Sequence, residues 1–181
     1  MSRSATLMGW IVSQSSLGTV DALLITGFEV TMSNVRTVSL PMSSLLHSRI
    51  QGSDFIDCYS VRSDMAPRRA AEIITDFPQW AQLLLLIRQI VTAPFGLSNS
   101  GPEAVDKVGI FPVEEETDTE LIAGFNDKHL NFRVSVLSEA GYVYLATWVH
   151  PHNLGGRVYL TSIMPFHIAI SRNALVRVAR S

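Results

Sequence analysis

Apolar and polar positions alternate through residues 129–137: Leu130, Phe132, Val134 and Val136 fall on one side, His129, Asn131, Arg133 and Ser135 on the other. A period of two is that of a strand with one face turned to a core. Residues 53–62 repeat the pattern, with Phe55, Asp57, Tyr59 and Val61 opposite Ile56, Cys58 and Ser60. Residues 108–114 and 119–126 flank a short acidic turn and read as an antiparallel hairpin. In residues 142–150, Val143, Leu145, Thr147 and Val149 oppose Tyr144, Ala146 and Trp148. Both sides are apolar, which predicts a central strand covered on both faces.

Helical spacing fills the remainder. Ser63 or Asp64 can cap a helix that has Pro67 in its first turn and Ala70, Ile73, Ile74 and Phe77 as its buried stripe. Pro78 opens a second helix carrying Trp80, Leu83, Leu84, Ile87 and Val91, stopped by Pro94 and Gly96. Residues 98–107 read as a loop. Asn153 is a suitable cap for a long C-terminal helix whose apolar faces come from Leu154, Val158, Leu160, Ile163, Ile168, Leu175 and Val176. Pro165 inside it removes one backbone hydrogen bond and crowds the Thr161 carbonyl, so a kink or break is expected there. Strand, helices, several antiparallel strands and a final helix make an α+β domain over residues 32–181. Residues 1–31 hold three charges (Arg3, Asp21, Glu29), no helical stripe and only a faint strand pattern at 22–30. With Met32 as an alternative start, they are expected to be an extension outside the core; the other reading is an N-terminal strand packed on the sheet.

Composition narrows the function classes. Of 181 residues, 47% are hydrophobic and 17% charged, with a net charge of −2. So much apolar material argues against a largely disordered chain, and the missing basic excess argues against a nucleic-acid partner. The single cysteine, Cys58, excludes an intrachain disulfide framework and a thiolate zinc cage; it is expected to be buried and inert. The apolar run at 80–91 is too short to span a membrane, and a cytoplasmic location is the default. Six acids (Glu114, Glu115, Glu116, Asp118, Glu120, Asp127) crowd residues 114–127. Residues 140–181 have none, but carry Arg157, Arg172, Arg177 and Arg180. The plain reading is an acidic hairpin tip and a solvated basic helix face; the sharper one is a pair of complementary surfaces docking two protomers.

Four stretches carry a resemblance: "SDFIDCYSV" at 53–61, "DFPQWAQLLLLIRQIVTAPFGL" at 76–97, "GFNDKHLNFRVSVL" at 124–137 and "VHPHNLGGRVYLTSIMPFHIAISRNAL" at 149–175. With them the chain is similar to an uncharacterised bacterial family of the helix-grip (START/polyketide-cyclase-like, SRPBCC) superfamily, found alone or fused behind NAD-dependent epimerase-like domains. The resemblance implies a curved antiparallel sheet wrapped around the C-terminal helix, with an apolar cavity between them. It implies no established activity and no cofactor.

On that fold, the expected function is binding of a small apolar or amphipathic ligand in the cavity. Phe132, Tyr144, Trp148 and Met164 would form walls, and His129, Arg133 or Arg157 would fix a polar end. Arg133 anchors an acidic ligand if its strand face is concave and is an ordinary solvated residue if that face is convex. Asn153 and Arg157 open the last helix, where amides can hold an anion or simply be capped. His150 and His152 stand two apart as metal ligands would, yet lack an acidic neighbour in sequence, so no metal is expected. The enzyme alternative is a cyclase or isomerase using His129, His152 or His167 as a proton shuttle. A third reading is an accessory module that partners an oxidoreductase.

Overall fold

The alternating segments form a seven-stranded antiparallel sheet. Its strands are β1 (Arg36–Thr37), β2 (Phe55–Arg62), β3 (Lys107–Val108), β4 (Phe111–Glu116), β5 (Glu120–Asn126), β6 (Leu130–Glu139) and β7 (Tyr142–Pro151), in the order β1-β2-β7-β6-β5-β4-β3. The computed structural model describes residues 35–52, 54–82, 103–127 and 130–181. Residues 1–34, His129 and all but the first turn of the helix expected from Pro78 lie outside the described residues. Helices α1 (Pro67–Thr75) and α2 (Leu154–Val178) pack on one face of the curved sheet, and a 3-10 turn (Leu45–Arg49) covers the other. The fold is α+β, with β7 between β2 and β6 as its two apolar sides require.

Local chemistry moves several boundaries. Gly109 has φ +58, and a Cβ there would meet Thr75 Cβ at 2.8 Å. The chain pinches against the end of α1 at this point, so the strand expected over 108–114 is split into β3 and β4. Helix α1 starts after Ala66, with Pro67 at its first position; Ser63 does not cap it, but accepts from the Met65 amide at 3.3 Å. It ends at Thr75, so Phe77 leaves the stripe and its ring meets Phe111 edge-on at 6.4 Å. Helix α2 runs unbroken through Pro165; Thr161 and Pro165 both lie on an exposed stretch, where the freed Thr161 carbonyl is open to solvent.

The helix-side core joins Tyr59, Val61, Leu121, Val136, Val143 and Leu145 of the sheet to Ala70, Ala71 and Ile74 of α1 and Ala174, Leu175 and Val178 of α2. Each fully buried Leu or Val contributes about 2 kcal/mol by leaving water. Arg177 ties the helices together: its guanidinium donates to the Asp76 and Ile74 carbonyls at 2.6 and 3.3 Å, closing the end of α1. Only the C-terminal half of α2 is held this way. Leu154, Val158, Phe166 and Ile168 are exposed, although the spacing of Leu154, Val158 and Ile168 placed them on packed faces.

On the opposite face Leu46, Cys58, Ile122, Ala146 and Trp148 form a second core. Its cover is pinned by one carboxylate. Glu120, 1% exposed, accepts from Ser44 Oγ at 2.6 Å, Ser135 Oγ at 2.5 Å and the Leu45 amide at 2.7 Å. Removing it strands three buried donors. Glu120→Ala is therefore expected to lower the urea-unfolding free energy by roughly 3 kcal/mol, with Glu120→Gln losing less than half of that.

Candidate functional site

Register lines up rows of side chains across the helix-side face. One row is aromatic and aliphatic: Phe55 on β2 pairs with Val149 on β7, Val149 with Phe132 on β6, and Phe132 with Phe125 on β5. The Phe111 ring extends it, with its centroid 5.5 Å from that of Phe132. The next row runs Asp57, Thr147, Val134, Ala123 and Val113. The third runs Tyr59, Leu145, Val136 and Leu121. Asp57 therefore brings a carboxyl group into a face that is otherwise aromatic, aliphatic or hydroxyl-bearing.

Helix α2 meets that carboxyl with His167, whose Nε2 lies 2.9 Å from Asp57 Oδ2 and whose ring meets Phe55 edge-on at 6.4 Å. The other oxygen, Asp57 Oδ1, is buried and has no hydrogen-bond partner among the described residues. An unsatisfied buried acceptor costs about 1–3 kcal/mol. Burial, the adjacent Asp57 charge and the phenol's own approach to that carboxyl push the Tyr59 phenol up to about 12, so it stays protonated, while Oδ1 keeps no partner in hydrogen-bonding geometry among the described residues. The Arg172 guanidinium sits over the Tyr59 ring at 5.8 Å and donates to Thr37 Oγ1 at 3.3 Å. Cys58, one residue from Asp57 but on the other face, is buried, and burial with the Asp57 charge raises its thiol to about 12. It is inert.

The residues expected to meet in one cavity are divided by the sheet. His167 and Phe132 face the helix side. Tyr144, Trp148 and Arg133 lie on the opposite face, so they cannot wall a hollow between sheet and α2. Arg133 is neither a solvated residue nor a ligand anchor there: it is 5% exposed and directly opposite Trp148. Its side chain crosses β5 at Gly124 to reach Glu114 on β4 at 2.6 Å and Asn126 Oδ1 at 2.9 Å. Gly124, at φ +155, makes room; a Cβ would strike the Phe132 carbonyl oxygen and lie 2.9 Å from Arg133 Cδ. Asn153 is a cap, accepting from the Gly156 amide at 2.9 Å, while Arg157 one turn on is exposed. His152 is exposed with its ring 5.7 Å from His150.

The acidic run at 114–127 is largely an exposed tip, with Glu114, Glu115, Glu116 and Asp118 all exposed, but several of its acids are also engaged. Glu114 pairs with Arg133 and with Arg49 at 3.1 Å, Glu116 with Arg68, and Glu120 is buried. Sequence reasoning also missed Asp54. Its carboxylate takes His150 Nδ1 at 2.6 Å, the Trp148 indole at 2.8 Å and the Gln51 amide at 2.8 Å. Burial pushes this carboxyl up, but the bonds from His150, Gln51 and Trp148 outweigh burial and hold it below the usual value. Among the described residues, no group of three His, Cys, Asp or Glu side chains could hold a metal ion, and no helix is long and apolar enough to cross a membrane.

A family model described as "Protein of unknown function (DUF2867)" matches residues 49–174. No curated protein and no solved structure matches the chain.

Two outcomes check this geometry. Gly124→Ala is expected to displace Arg133 and lower stability by about 3 kcal/mol in urea titration. A carboxyl whose folded pKa is depressed stabilises above its unfolded pKa and loses that contribution as pH falls through the folded value. Asp54→Asn should therefore flatten the fall in unfolding free energy below about pH 4.

Proposed function

Because the chain belongs to the DUF2867 family of proteins of unknown function, we propose from the chemistry of the site that the domain holds a small amphipathic molecule between the sheet and α2. The molecule's apolar body lies along Phe55, Val149 and Phe132, and its polar head meets Asp57 and His167. One observation carries the reading: the Asp57–His167 pair sits at the inner face of α2 beside an aromatic row, with one carboxylate oxygen buried and unpartnered among the described residues. Folding does not by itself reward an unsatisfied acceptor in such a place, whereas a ligand that satisfies it gains both the bond and the burial. The likeness to helix-grip proteins supports the same location, since the sheet and long final helix are the parts that enclose ligands in that superfamily.

The pair also favours a second reading, cyclase- or isomerase-like catalysis. Asp57 on Nε2 fixes the His167 ring and leaves Nδ1 to exchange a proton with a ligand. Both readings require occupancy. Organic extraction of the purified protein followed by mass spectrometry is expected to release a small apolar molecule from the wild type, in amounts at least several-fold lower from Asp57→Ala. Equal release from both would remove Asp57 from the site.

A further inference from the structure

Resting on the ligand reading above, we infer that the polar head of the molecule is a hydrogen-bond donor, a hydroxyl or an ammonium group, and not a carboxylate. Among the described residues Asp57 Oδ1 is an acceptor without a partner, and Oδ2 is already taken by His167. The side chains around it on the sheet are Phe55, Thr147, Val149, Val134 and Tyr59, none of them cationic. The Tyr59 phenol stays neutral. Arg172 stands one row further on, over the Tyr59 ring and engaged with Thr37 at the sheet edge. An anionic head at Asp57 would thus bring two like charges together where little water screens them. A hydroxyl or ammonium satisfies Oδ1 directly, and the ammonium adds attraction.

The test uses three eight-carbon probes, 1-octanol, octylamine and octanoate, titrated into the full chain at pH 7 by isothermal titration calorimetry. Octanol and octylamine should bind at least about tenfold more tightly than octanoate, the factor a charge-assisted bond is worth. Asp57→Asn, which keeps the shape and removes the charge, should bring octylamine and octanoate to within about threefold of each other. The wild-type ranking decides the matter even where the variant folds poorly. Octanoate binding as tightly as octanol, or losing affinity in Arg172→Met, would put the head on the unpartnered Arg172 Nε and overturn the inference while leaving the ligand reading intact. Binding by none of the probes would overturn both.

Discussion

A sheet covered on both sides offers the charges on its strands no water, so each must find its opposite or a set of donors inside the protein. Here α1 and α2 lie on one face and the 40–50 segment on the other, with Glu120, Arg133, Asp54 and Asp57 all carried on or beside the strands between them. Glu120 meets the requirement with two hydroxyls and an amide, and those bonds are also what fasten the outer cover. Arg133 meets it by spanning three strands, which is possible only because β5 has a glycine where the side chain crosses. The outer face is thus closed by its own polar groups.

The helix side is not closed in the same way. Its hydrocarbon packing is dense where Ala174, Leu175 and Val178 meet α1, and the one charge set among them, Arg177, is spent on the carbonyls that end α1. Further toward the N-terminus of α2, packing gives way to exposed Leu154, Val158 and Phe166, and Asp57 and His167 lie where the two regimes meet. A helix anchored at one end and apolar on several faces at the other can loosen at the free end without unfolding its anchor.

Much of this architecture was legible in the residues. Period-two alternation located β2, β6 and β7, and the two apolar sides of β7 placed it centrally, because burial on both faces leaves no position free to be polar. Asn153 announced its cap. Legibility failed where the outcome depends on what lies across the sheet. Arg133, Trp148 and Tyr144 share a face with one another but not with α2, and alternation alone says which side chains go together, not which layer covers them. The ion pairs of Glu114 and Glu116 left no local signal because their partners Arg133, Arg68 and Arg49 lie 19, 48 and 65 positions away. Asp57 did leave a signal: a charge between Phe55 and Tyr59 on an inward face is a break in pattern, and breaks of that kind mark sites more often than they mark errors.

On the proposed ligand reading, that break would also fix what the site selects. A histidine alone on the final helix would accept heads of either charge, since imidazole can donate or accept. Joined to Asp57, its Nε2 becomes a committed donor, and the acceptor the pair still has to spare is the remaining Asp57 oxygen. On that reading the strand would contribute the sign of the charge, the helix its orientation, and the aromatic row the direction in which an apolar chain lies. No single element carries the Asp57–His167 pair; the placement of α2 against β2 does.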